Sequence, residues 1–171
     1  MTRKSISFFF TFGILASVTT VLALAQHEPP AVVQSEQPEQ NGLAVAQAYL
    51  AGMEAGDLDA LTALFIAGDR SSILENASDE GSWEHYRDHH LAPEMDVAEN
   101  FRFTIADEAE EHFGDTILVK QTGTFSVDIR DETRQYRVAV SYLMVAEEHA
   151  LRIAHLHWSS RPVRQAVPQT E

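Results

Sequence analysis

The hydrophobic pattern of the chain changes period once along its length. From Leu43 to Glu54 the apolar positions Val45, Ala48, Tyr49, Gly52 and Met53 return at helical spacing, which sets one face of a helix toward a core. Gly56 ends that helix. Asp57 can cap the next, in which Leu58, Leu61, Leu64 and Phe65 continue a stripe until Gly68 stops it. Ser71 to Leu74 reads as a short β segment, and the polar stretch from Glu75 to Gly81 as a turn or loop. Ser82 is placed to cap a third helix through Trp83-Glu84-His85-Tyr86-Arg87-Asp88-His89-His90-Leu91, which should end near Pro93.

Further on, the period falls to two, the mark of strands with one buried face. Phe101, Phe103 and Ile105 make one such set, Ile117, Val119, Phe125, Val127 and Ile129 a second, and Tyr136, Val138, Val140, Tyr142 and Met144 a third. Asp131-Glu132-Thr133 and Glu147-Glu148-His149 read as hairpin turns, the latter before a last strand from Leu151 to Ser159. Helices followed by a strand meander predict an α+β fold, a curved antiparallel sheet packed against three N-terminal helices.

The ends lack this pattern. Arg3 and Lys4, the apolar run from Ile6 to Leu24 and Ala23-Leu24-Ala25 have the order of a secretory signal over residues 1–25, with an uncleaved membrane anchor as the alternative. Residues 26–41, with Pro29, Pro30 and Pro38 among glutamines and glutamates, read as a disordered linker, and 163–171 as a disordered tail. The folded domain is expected over 42–162, exported, into the bacterial periplasm.

Cysteine is absent, so the domain must be held by its core rather than by disulfides. The chain has 12 basic and 26 acidic residues. Loss of the signal removes two basic and no acidic side chains, taking the formal net charge from −14 to −16. Such a surface repels phosphate backbones and anionic membranes, which argues against nucleic acid and lipid partners.

Three stretches carry a family resemblance. Ala48-Tyr49-Leu50-Ala51-Gly52-Met53-Glu54-Ala55-Gly56-Asp57-Leu58-Asp59-Ala60-Leu61 is similar to the helix-Gly-Asp-helix opening of the nuclear transport factor 2-like superfamily, which includes ketosteroid isomerases, SnoaL-like cyclases and kinase association domains. Trp83 to Glu94 resembles a helix, and Leu151 to Arg161 the closing strand, of its exported bacterial members. The resemblance implies a cone-shaped fold enclosing a pocket and dimerisation through the sheet. It carries over no isomerase base or oxyanion hole, because no motif here matches them.

The candidate chemistry lies in histidine. Four of the eight fall in two tight pairs, His89-His90 and His155-x-His157. Strand alternation places His155 and His157 on one face with Leu151 and Ile153, so both imidazoles are expected inside the cone if those two are core, although Ala154, Leu156 and Trp158 make the opposite face equally apolar. Helical spacing groups Trp83, Tyr86, Arg87 and His90 on one side. The expected pocket is therefore lined by Trp83, Tyr86, Arg87, His90, His155 and His157, and it would hold a small organic molecule. His89 or His90 with His155 and His157 could instead bind zinc or copper, with Glu75, Glu84 or Glu94 completing the set. His155 or His157 paired with Glu75 or Asp88 could also act as acid and base. A third reading is a homodimeric interaction module, with Trp158 and Tyr142 on the dimer face.

Overall fold

The computed structural model describes residues 41–130 and 132–164; the expected signal and most of the linker and tail lie outside the described residues. Helix α1 (Gly42–Ala55) starts where the Asn41 side chain accepts a hydrogen bond from the Ala44 N–H, and it ends at Gly56, whose φ of 64° closes the last turn. Its buried stripe is Ala46, Tyr49, Leu50 and Met53, while Ala48 is exposed. Asp57 caps the short α2 (Leu58–Thr62), and a 3-10 turn (Gly68–Arg70) leads to the sheet. Among the described residues no helix is long and apolar enough to cross a membrane.

Six strands form one sheet in the order β2-β1-β6-β5-β4-β3. The long strands β3 (Ala98–Phe113), β4 (Thr116–Ile129), β5 (Glu132–Glu147) and β6 (Ala150–Pro162) make the antiparallel meander that the alternation predicts. β1 (Ser72–Glu75) adds parallel to β6 and pairs with β2 (Ser78–Gly81). The stretch expected as a turn thus contains a strand. Its bend is confined to Asn76 and Ala77, both at positive φ, and is fastened to β6 because Asn76 N–H donates to the Trp158 carbonyl and Ser160 N–H to Asn76 Oδ1.

The sheet curves where β3 carries an extra residue between Ile105 and Asp107, opposite Gly123. A Cβ at Gly123 would lie 2.2 Å from the Thr104 carbonyl oxygen, so only glycine lets the strands approach at this bend. The concave face packs on the helices through Val119, Val140, Tyr142, Met144, Ile153 and Leu156. Tyr142 and Trp158 are both buried there and not on an outer dimer face, because they alternate in phase with these core residues.

The helix expected to stop near Pro93 runs on as α3 (Trp83–Tyr86), a π-helical turn (Arg87–Leu91) and α4 (Ala92–Met95). Pro93 is accommodated because it stands in the first turn of α4, where a missing N–H costs little. The π turn inserts a residue into the helical period. The buried positions become Trp83, Tyr86 and Leu91, and His90 moves to the edge.

Candidate active site in the cone

Between α1, the helical segment 83–95 and the concave face of the sheet is a cavity of about 290 Å3. Its walls are largely aromatic. Phe125 stacks on Tyr136 at 4.9 Å and meets Trp158 at 63°, while Phe101 closes one side and Tyr49 and Tyr86 enter from the helices. The carboxylates that line it are Glu75 and Glu94, and no lysine or arginine does.

Glu75 reaches the cavity because it stands two residues after Ile73, on the buried side of β1. Its Oε2 accepts a 2.8 Å hydrogen bond from the Tyr86 hydroxyl and lies 3.7 Å from His90 Nε2. Oε1 has one long contact, 3.5 Å from Asn76 Nδ2. Burial raises the Glu75 pKa above the ordinary carboxyl value, against the opposing pull of the Tyr86 hydroxyl and of His90. Burial also raises Tyr86, with the Tyr49 and Glu75 charges adding to it, so its hydroxyl stays protonated and donates.

His90, expected in the lining, does not line the cavity but stands beside three residues that do, Tyr86, Glu75 and Glu94, its ring 5.1 Å from that of Tyr86. Nδ1 is 3.2 Å from Glu80, and Nε2 is 3.3 Å from Glu94 on the next helical turn. Burial alone would lower its pKa, but the hydrogen bond to Glu80 and the charges of Glu75, Glu94 and Glu80 together outweigh that and raise it. Tyr86, Glu75, His90 and Glu80 or Glu94 therefore stand in a row of polar groups, in which Tyr86 is hydrogen-bonded to Glu75 while Glu75 and His90 are at ion-pair distance.

The other expected site residues are elsewhere. Trp83 is a pillar of the core, stacked on Phe65 at 4.2 Å with its Nε1–H donating to Thr62 Oγ1. Arg87 pairs with its neighbour Asp88 and does not line the cavity. His89 is exposed beside His85. His155 and His157 do not point into the cone. Pairing of β5 with β6 runs from Leu143–His155 to Met144–Ile153, so Ala154 is an extra residue and the strand changes phase there. Leu151 and Ile153 before the bulge, and Leu156 and Trp158 after it, all face the core. His157 consequently stands outside next to Leu74, and His155 next to Ser72, whose hydroxyl is 2.6 Å from Nδ1. Burial, then the charge of His157, lowers the His155 pKa. The bulge thus separates these two histidines from His90, and among the described residues no group of three or more histidine, aspartate and glutamate side chains is arranged to hold a metal ion.

On the opposite face of the sheet a wider trough of about 640 Å3 runs past Arg137, Arg161 and several hydroxyls. It is open, so a molecule there would keep much of its water. The cavity in the cone is the less open of the two.

Solved structures of similar shape support the architecture. A nuclear transport factor 2-like protein from Salmonella enterica superposes with a TM-score of 0.63 at 17% identity, covering 75% of this chain and 93% of that one. A putative dehydratase of the same family from Streptomyces avermitilis gives 0.61 at 22%, covering 75% and 98%. A putative ketosteroid isomerase from Shewanella frigidimarina gives 0.58 at 16%, covering 68% and 92%. At these identities the likeness is one of fold, and one fold carries many activities. No curated protein matches the sequence. The SnoaL-like domain family matches residues 43–164, the whole folded part described above, and the chain belongs to that family.

Proposed function

We propose that this SnoaL-like domain binds a small, mostly apolar molecule inside the cone and that Glu75 orients it. The supporting observation is a half-buried carboxyl, fixed by Tyr86, with one oxygen nearly free beside aromatic walls. Enclosed apolar cavities with a few placed polar groups are what small-molecule sites look like. An apolar cavity of about 150 Å3 holds benzene, so twice that volume suits a molecule of roughly 10–12 non-hydrogen atoms. The N-terminal signal of the sequence would deliver this activity outside the cytoplasm.

The emission of Trp158, isolated in a Trp83→Phe background, tests the reading. Titration with naphthalene should give a saturable change, and Ile129→Trp, which fills the cavity, should abolish binding measured by calorimetry. A protein that binds equally well with its cavity filled would refute it.

A second reading has its own observation, the Tyr86–Glu75–His90 row. A carboxyl with a raised pKa next to a histidine with a raised pKa suits proton transfer near neutral pH. In this reading Glu75 takes a proton from a bound carbon acid and His90 returns it to solvent. Hydrogen–deuterium exchange of bound carbonyl compounds, lost in Glu75→Gln while binding persists, is the expected result. Exchange unaffected by that substitution would exclude Glu75 as the base.

A further inference from the structure

The charges around the cavity are one-sided. Two carboxylates, Glu75 and Glu94, line it, and a third, Glu80, stands behind His90. The imidazole is the one cationic group in this cluster among the described residues. Its two nitrogens are shared among all three carboxylates, at 3.2 Å from Glu80, 3.3 Å from Glu94 and 3.7 Å from Glu75, so a single imidazolium leaves a negative excess. The inner walls add to this excess. Ring faces carry partial negative charge, and Phe125, Tyr136 and Trp158 line the space beyond Glu75, Phe125 stacked on Tyr136 and edge-on to Trp158. Over the whole chain, a net charge of −14 raises the local concentration of cations.

These features define a ligand class. A neutral molecule would use the walls and gain nothing from the carboxylates, and an anion would be repelled by Glu75 and Glu94, the two charged groups that line the cavity. We infer that the cone selects an organic ammonium ion with an apolar body, its cationic head held between Glu75 and the aromatic rings and its body filling the space toward Val127 and Ile129. The inference rests on the reading of the cavity as a small-molecule site and names the charge of what enters.

Several consequences set this apart from binding by apolar contact alone. Desolvation makes a free ammonium ion a poorer guest than its neutral analogue unless the site supplies compensating charge. Ring faces and a carboxylate supply it, and cation–π contacts in a desolvated site favour the cation severalfold or more. An arriving cation also opposes the burial that raises the Glu75 pKa, so binding in mildly acidic solution should expel a proton.

The test uses the full chain after removal of its signal, with benzyltrimethylammonium and its uncharged isostere neopentylbenzene as probes, and phenylacetate as the anion. Calorimetry near neutral pH should give about tenfold tighter binding of the cation than of the isostere, and no binding of phenylacetate. In buffers of different ionisation enthalpy at mildly acidic pH, cation binding should release protons and isostere binding should not. Glu75→Gln should abolish the proton release and most of the preference. Glu94→Gln, at an exposed helix position where folding is not at stake, should weaken the preference in the same direction. If both probes bind equally, or the isostere binds more tightly, the charge inference is overturned while the cavity reading stands. If none of the probes binds, both are overturned together. Cation binding that persists at full strength in Ile129→Trp would place the ammonium site outside the cone and also overturn the inference.

Discussion

Replacing Tyr86 with phenylalanine removes one oxygen and leaves a ring that is 4% exposed in its place, so its effect isolates the bond to Glu75. That bond changes character with pH. Below the ordinary carboxyl value of 4.5 the glutamate is protonated in folded and unfolded chains alike, and the loss is that of a neutral hydrogen bond, about 0.5–1.5 kcal/mol. Above the raised native pKa the carboxylate is ionised in both states, and the loss is that of a charge-assisted bond, about 1.5–3 kcal/mol. The Glu75 side chain is 15% exposed, so water can replace part of the missing donor, which favours the lower part of that range. Between these limits the native Glu75 pKa lies above the unfolded one, so the folded chain binds more protons and stability falls as pH rises across the window. Without the Tyr86 hydroxyl the native pKa rises further and the fall continues to higher pH. Urea unfolding of wild type and Tyr86→Phe at about pH 3.5 and about pH 8 should therefore show the larger destabilisation at the higher pH, by about 1 kcal/mol, or roughly 3–6 °C in Tm for a domain of this size. An equal loss at both values would refute the assignment of an ionisable partner to this hydroxyl.

Two further substitutions test the framework that shapes the cone. Gly123→Ala should destabilise by about 1–3 kcal/mol or more, since the new methyl meets backbone at the bend and not a side chain that can rotate away; an unchanged urea midpoint would mean that the strands do not approach there. Deleting Ala154 should remove the bulge and leave Leu156 and Trp158 two and four positions after Ile153, in phase with it by plain alternation, so the variant should fold and keep the near-ultraviolet signal of Trp158. Loss of that signal on deletion would show that the bulge does not set the facing of β6.

Much of the fold is legible in the sequence because its signals are local. Asp57 and Ser82 cap helices in the structure as their positions predict, Gly56 stops α1, and the period-two sets on β4 and β5 are the buried ones. Within the site, Tyr86 was readable from its helical face. Glu75 was harder. It belongs on the buried side by its spacing from Ile73, but the polar residues after it hide the strand, and only the pairing of β1 with β6 shows that alternation continues to Glu75. Phe101, Phe125, Tyr136 and Trp158 carry the ordinary signature of core residues. Nothing in periodicity distinguishes a ring that lines a void from one that fills it, because the void depends on how far the sheet curves at Gly123 and at the β3 bulge.

The histidines are a different kind of case. Each of the two segments that carry them contains one residue too many for its period, a π turn over Arg87–Leu91 and a bulge at Ala154. Periodicity assigns faces by counting from a known buried residue, and the count holds only while phase is constant. One inserted residue moves Leu91 into the helix position that counting from Trp83 and Tyr86 gives to His90. Another turns His155 and His157 from the face of Ile153 to the opposite one. Such insertions cost regular hydrogen bonds and recur where a side chain must be aimed against the regular period. Here the first aims His90 past the core toward Glu75, Glu80 and Glu94 beside the cavity, and the second brings Trp158 into the cavity wall. Both thereby supply the same site, one an imidazole beside its carboxylates and the other an aromatic wall, which is a physical reason to test the cone for ligands before the histidines on the outer face.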